Sequence, residues 1–70
     1  MKNTIKIERA INNLTQEELA TKVSVSRQTI NAMEANKYVP STVLALKIAK
    51  VFNKPLEQIF ILEETDSRLG

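Results

Sequence analysis

The sequence predicts an all-α domain, and three observations carry that expectation. Ala, Leu, Ile, Lys, Gln and Glu dominate the chain, and all are good helix formers. One glycine and two prolines in 70 residues leave little that could turn hairpins or bend a sheet. Helix-start signals at Thr15, Ser26, Ser41 and Pro55 each stand just ahead of a stretch with apolar residues at helical spacing.

An opening helix is expected from about Ile5 to Asn12. Ile7, Ile11 and Leu14 recur there at i, i+4 and i+7, which puts them on one face. Thr15-Gln16-Glu17-Glu18 is a capping box, in which the Thr15 hydroxyl accepts from the Glu18 N–H and the Glu18 carboxylate from the Thr15 N–H. Ser26 is the cap of a helix beginning at Arg27, and Ser41, directly after Pro40, caps the next. Pro55 suits the first turn of a short last helix, where its missing N–H costs nothing. The joints Asn12-Asn13, Asn36-Lys37 and Asn53-Lys54 place an Asn where a left-handed helix stop is wanted. Five short helices result. The termini add a weaker signal: Lys2 to Ile7 partly alternates and Phe60-Ile61-Leu62 is rich in strand formers, so a short β pairing of the two ends is possible. The domain is expected over residues 1–62, followed by an acidic flexible tail over 63–70.

Composition removes several function classes. Without cysteine there is no disulfide framework, and without histidine neither a zinc site nor histidine acid–base catalysis is expected. Ser24, Ser26 and Ser41 lack an activating base, and no glycine loop could cradle a phosphate. The expectation is a non-enzyme with no cofactor and no metal. No apolar run is long enough for a membrane span and no secretory signal is visible, so a cytoplasmic location is expected. The net charge of +2 hides an asymmetry. Residues 1–62 carry nine basic and five acidic side chains, while residues 63–70 carry one and three. A basic body permits a nucleic-acid partner.

Residues 15–35 hold the pattern that specifies one. Leu19, Ala20 and Val23 share a face of the first helix, Ile30 and Met33 a face of the second, and Ser24-Val25-Ser26 joins them. Two helices crossing over a three-residue turn, with small Ala20 at the contact, describe a helix-turn-helix, whose second helix enters the DNA major groove. Thr15-Gln16-Glu17-Glu18-Leu19-Ala20, Val25-Ser26-Arg27-Gln28-Thr29-Ile30-Asn31, Glu34 and Pro40-Ser41 together resemble the Cro/C1-type (XRE) helix-turn-helix regulators. Arg9, the helix Leu44-Ala45-Leu46-Lys47-Ile48-Ala49 and the closing Pro55-Leu56-Glu57-Gln58-Ile59-Phe60 agree in order and spacing, so the resemblance covers roughly residues 5–62. It is strongest to small stand-alone members of that family. The chain departs from the pattern at Ser24, where many such turns have Gly, and at Glu8, where an aliphatic residue is usual.

The resemblance implies a five-helix lambda-repressor-like DNA-binding domain and roles for named residues. Arg27 suits the O6 and N7 of a guanine, and Gln28 and Asn31 suit the N6 and N7 of an adenine. The methyl groups of Thr29 and Ala32 suit a thymine methyl. Gln16, Ser26, Asn36, Lys37 and Tyr38 are the candidate contacts to the DNA backbone. The resemblance further implies a partly buried Arg9–Glu34 ion pair tying the opening helix to the end of the recognition helix. Leu56, Ile59, Phe60, Ile61 and Leu62 exceed what one small core can hide and are the candidate homodimer interface, although Ile59 and Phe60 could instead close the monomer core. The functional expectation is a dimeric repressor of a palindromic operator. The alternatives are a protein-interaction module that keeps the fold, with a regulatory partner protein, and a nonspecific nucleic-acid binder. An interaction module would be expected to replace Arg27, Gln28 and Lys37 with apolar or acidic residues.

Overall fold

A computed structural model describes residues 1–66. Its elements run β1 (Lys2–Asn3), α1 (Ile5–Ile11), α2 (Gln16–Lys22), α3 (Arg27–Glu34), α4 (Thr42–Phe52), α5 (Leu56–Ile59) and β2 (Phe60–Ile61). The expected all-α class holds, with the β pairing of the termini as its only sheet among the described residues: Lys2 opposes Ile61 and Asn3 opposes Phe60, antiparallel.

The helix starts are those the caps predict. Thr15 forms both halves of its capping box, with Glu18 N to Thr15 Oγ1 at 3.0 Å and Thr15 N to Glu18 Oε1 at 2.9 Å. The Ser26 and Ser41 hydroxyls accept from Thr29 N and Leu44 N, each at 3.2 Å. Pro55 stands one residue ahead of α5, as its cap.

The first four helices end by one device, while α5 runs directly into β2. Asn13, Ser24, Asn36 and Asn53 all have left-handed backbone, with φ of 60°, 61°, 60° and 54°. Around each, the next residue's N–H reaches back five positions: Leu14 to Arg9 O, Val25 to Ala20 O, Lys37 to Ala32 O and Lys54 to Ala49 O. This Schellman pairing satisfies carbonyls that the last helical turn would otherwise leave open. Asn tolerates left-handed backbone better than Ser, so Ser24 carries the most strain of the four. Ser24→Gly is therefore expected to stabilise the domain by about 0.5–1 kcal/mol, net of the extra flexibility glycine adds to the unfolded chain. Thermal unfolding checks this, and a lower melting temperature would contradict it.

Ile5, Leu19, Ile30, Met33, Ile48 and Ile59 are fully inaccessible and, with Val23 and Phe52, form one core drawn from all five helices. Leu14 and Val25 pack on it from the two joints. The apolar face expected for α1 is wrong. Ile7 and Ile11 are 61% and 67% exposed, whereas Ile5 and Glu8 point inward. Two contacts set this rotation. Thr4 N donates to Ile59 O at 2.9 Å, anchoring the start of α1 to α5. Glu8, buried to 5% exposure, accepts from Lys54 Nζ at 2.7 Å. A buried carboxylate is tolerable only with such a partner, and Lys54 lies 46 residues away.

Of the expected acidic tail, residues 63–66 form a turn closed by Asp66 N to Glu63 O and Glu63 N to Asp66 Oδ2, each 3.0 Å. The Met1 amino group lies 2.8 Å from Asp66 and 3.2 Å from Glu63. Residues 67–70 of that tail lie outside the described residues.

Candidate DNA-binding interface

The candidate interface is built on α2 and α3, which pack across the Ser24-Val25-Ser26 turn through Leu19, Ala20 and Val23 on one side and Ile30 and Met33 on the other. Ile30 and Met33 have no accessible surface, so α3 is seated in the core by two complete side chains. At about 100° per residue, Arg27, Gln28 and Asn31 fall together on the sector turned away from that seat. All three are exposed, and no hydrogen bond within the described residues engages their side chains. They are free to form contacts outside the chain. Thr29 and Ala32 flank this sector half-buried, and the Thr29 hydroxyl lies 3.0 Å from Ser26 Oγ, committed to the start of its own helix.

Arg9 and Glu34 form the pair that holds α3 at its far end. Arg9 Nε donates to Glu34 Oε2 at 2.6 Å and Nη2 to Oε1 at 3.1 Å, while Nη1 reaches Leu14 O at 2.9 Å. The side chains are 15% and 8% exposed, so this bidentate pair is largely desolvated. Burial pushes the Glu34 carboxyl up, but hydrogen bonds from Arg9 and Gln16, aided by the charges of Arg9 and Lys6, outweigh it and hold the group below the usual carboxylate range. The hydrogen bond to Glu34 raises Arg9 in turn.

Gln16 belongs to this network. Its Nε2 donates to Glu34 Oε1 at 3.1 Å, linking the first residue of α2 to the end of α3. One amide hydrogen is therefore spent inside the protein, and the other remains for a backbone contact. Asn3 is a residue the sequence reading missed. Its Nδ2 donates to Met33 O at 2.7 Å and lies 3.4 Å from Asn36 Oδ1, so strand β1 fastens the end of α3 and the loop after it. A short strand residue meeting a helix 30 positions away leaves no local pattern to find. Asn36, Lys37 and Tyr38 follow as an exposed loop, presented by the left-handed Asn36.

The five residues expected at a dimer interface separate. Ile59 is fully inaccessible and Phe60 is 8% exposed, so both belong to the monomer core, although Phe60 also lines an open cavity beside Leu56, Ile61 and Leu62. Leu56 is half-buried, while Ile61 and Leu62 are 44% and 69% exposed. The reason is the β pairing, which turns Phe60 inward opposite Asn3 and leaves Ile61 outward opposite Lys2.

Among the described residues, no group of three or more acidic side chains could hold a metal, and no helix is long and apolar enough to cross a membrane. The helix-turn-helix family matches this chain over residues 5–59, and the chain belongs to it. It is 58% identical over 66 residues to an uncharacterized HTH-type transcriptional regulator of Methanocaldococcus jannaschii, a match spanning 94% of this chain and 100% of the relative. The HTH-type transcriptional regulator YgzD of Bacillus subtilis is 50% identical over 64 residues, covering 91% and 97% of the two chains. A regulator from Archaeoglobus fulgidus is 53% identical over 66 residues, or 94% of this chain and 93% of its own. The protein is a small DNA-binding transcriptional regulator of XRE type and not an enzyme.

Proposed function

We propose that the protein is a dimeric repressor that reads a palindromic operator, each copy placing α3 in the major groove of one half-site. The observation that carries this reading is the outward sector of α3, where exposed Arg27, Gln28 and Asn31 stand on a helix held rigidly from behind. Arg27 then forks onto a guanine, Gln28 and Asn31 pair with adenines, and the Thr29 and Ala32 methyls meet thymine. Gln16, Ser26, Asn36, Lys37 and Tyr38 contact phosphates and set the register.

One such helix spans too few base pairs for genomic selectivity, and two copies on half-sites about 34 Å apart double the readout. The interface comprises Leu56, Phe60, Ile61 and Leu62 with Met1 and Glu57, around an open, mostly apolar cavity of about 460 Å³. A second copy covering it would remove an exposed apolar patch from water. Selection of bound sites from a random duplex pool tests the reading, with an enriched palindrome as the expected result. Sedimentation of the bound species should give twice 7.9 kDa of protein per site. Enrichment of no sequence, or of a lone half-site occupied by one copy, counts against it.

A further inference from the structure

A second open cavity, of about 630 Å³, lies where the ends of α1 and α2 meet the outward side of α4. Leu14 and Val51 line it as apolar groups, and Asn12, Lys22, Lys47 and Lys50 as polar ones. No acidic residue and no residue of α3 or of the loop after it lines this space. No salt bridge among the described residues holds any of the three lysines. Glu8 is committed to Lys54 and Glu18 to the Thr15 N–H, while Glu17 and Glu18 line a separate pocket with Lys22, whose charge reaches Glu18. Lys47 and Lys50 stand at i, i+3 on α4, a spacing at which like charges repel and destabilise the helix. The same helix exposes Val43 and Leu46 to 63% and 53%. The cavity is thus a cationic rim on an apolar floor with no acidic lining, although Lys22 and Lys50, in the last turns of α2 and α4, are each favoured there by the helix dipole.

We propose that this face docks an acidic segment of a partner protein, one carrying a large apolar side chain between its carboxylates. Charge complementarity selects the occupant. The carboxylates meet Lys22, Lys47 and Lys50, and the apolar side chain covers Leu14 and Val51, which a DNA backbone of uniform phosphates would leave wet. The partner binds beside the DNA-reading surface, not on it, so a regulator and its operator remain joined while the partner is held.

The test uses the full chain, isotopically labelled for backbone amide spectra, and a synthetic helical peptide with a leucine stripe flanked by glutamates. Saturable shifts should centre on Lys22, Lys47, Lys50 and Val51. Lys47→Glu/Lys50→Glu should weaken peptide binding at least about tenfold, and Lys47→Ala/Lys50→Ala by less, with the melting temperature of each variant confirming that it is folded. Affinity for the selected duplex should change by less than about twofold, since rim charges away from the DNA contribute only through long-range screening. Four results would overturn the proposal: shifts centred on Arg27–Asn31 or Lys37, which would make the peptide a phosphate mimic; equal binding of a control peptide with serines for leucines; no saturation at all; or a loss of duplex affinity in the charge-reversed variant matching that of Lys37→Ala.

Discussion

Arg9→Met is expected to lower stability by about 3–5 kcal/mol, because it leaves the Glu34 carboxylate buried with Gln16 as its remaining hydrogen-bond donor. For a domain of this size that corresponds to a fall in melting temperature of roughly 15–30 °C. It would consume much of a total stability of about 5–15 kcal/mol. The double variant Arg9→Met/Glu34→Met removes both charges and should recover most of the loss, since a well-packed apolar pair avoids the desolvation cost. The pH dependence follows from the same pair. Glu34 is held below its ordinary value of 4.5, so the folded state binds its proton less readily than the unfolded chain does. Its contribution is complete above that ordinary value and is lost as pH falls through the lower folded value. Without Arg9, burial is opposed only by the Gln16 hydrogen bond and the Lys6 charge, and this part of the acid sensitivity should shrink or reverse. Thermal melts of the three proteins between about pH 3 and 7 decide the matter. A single variant within about 1 kcal/mol of the parent, or a double variant no better than the single, would show that the pair is not desolvated.

Arg27→Ala is expected to cost about 1–3 kcal/mol of affinity for the preferred duplex and to relax selectivity at one base pair. Lys37→Ala should behave differently, weakening binding to every duplex alike and lowering the slope of log affinity against log salt by about 0.9. The contrast comes from what each side chain meets. A guanidinium forked on a base edge discriminates between sequences, whereas an ammonium beside a phosphate contributes mainly by releasing a counterion. Titration of both variants against the selected operator and a scrambled duplex, at several salt concentrations, separates the two effects. Equal losses on both duplexes for Arg27→Ala would remove it from base reading.

These two expectations draw on different kinds of information. Arg27, Gln28 and Asn31 were legible as a set because α3 is announced locally: Ser26 caps it, Ile30 and Met33 mark its buried side, and the remaining positions must face outward. The Arg9–Glu34 pair was legible only through resemblance, since nothing within 25 residues of chain links the two. The enlistment of Gln16 and Asn3 in holding α3 was not legible at all. Both are polar residues near element starts, and their partners lie 18 and 30 positions away.

Helix starts and stops were determined by the sequence itself. Thr15, Ser26 and Ser41 act on amides within three residues, and Asn13, Asn36 and Asn53 act through their own backbone preference, so no distant contact is required. The facing of α1 was decided only by tertiary structure. In a helix of seven residues, Ile7 and Ile11 make as good an apolar stripe as Ile5 and Glu8 make a mixed one. The outcome turned on whether a buried carboxylate could find a cation. Lys54 supplies it from the joint between α4 and α5, and the strand pairing of the termini anchors the start of α1 in that rotation. The same pairing turned Ile59 and Phe60 into core and left Ile61 and Leu62 outside, because alternation along a strand has meaning only once its partner is in place.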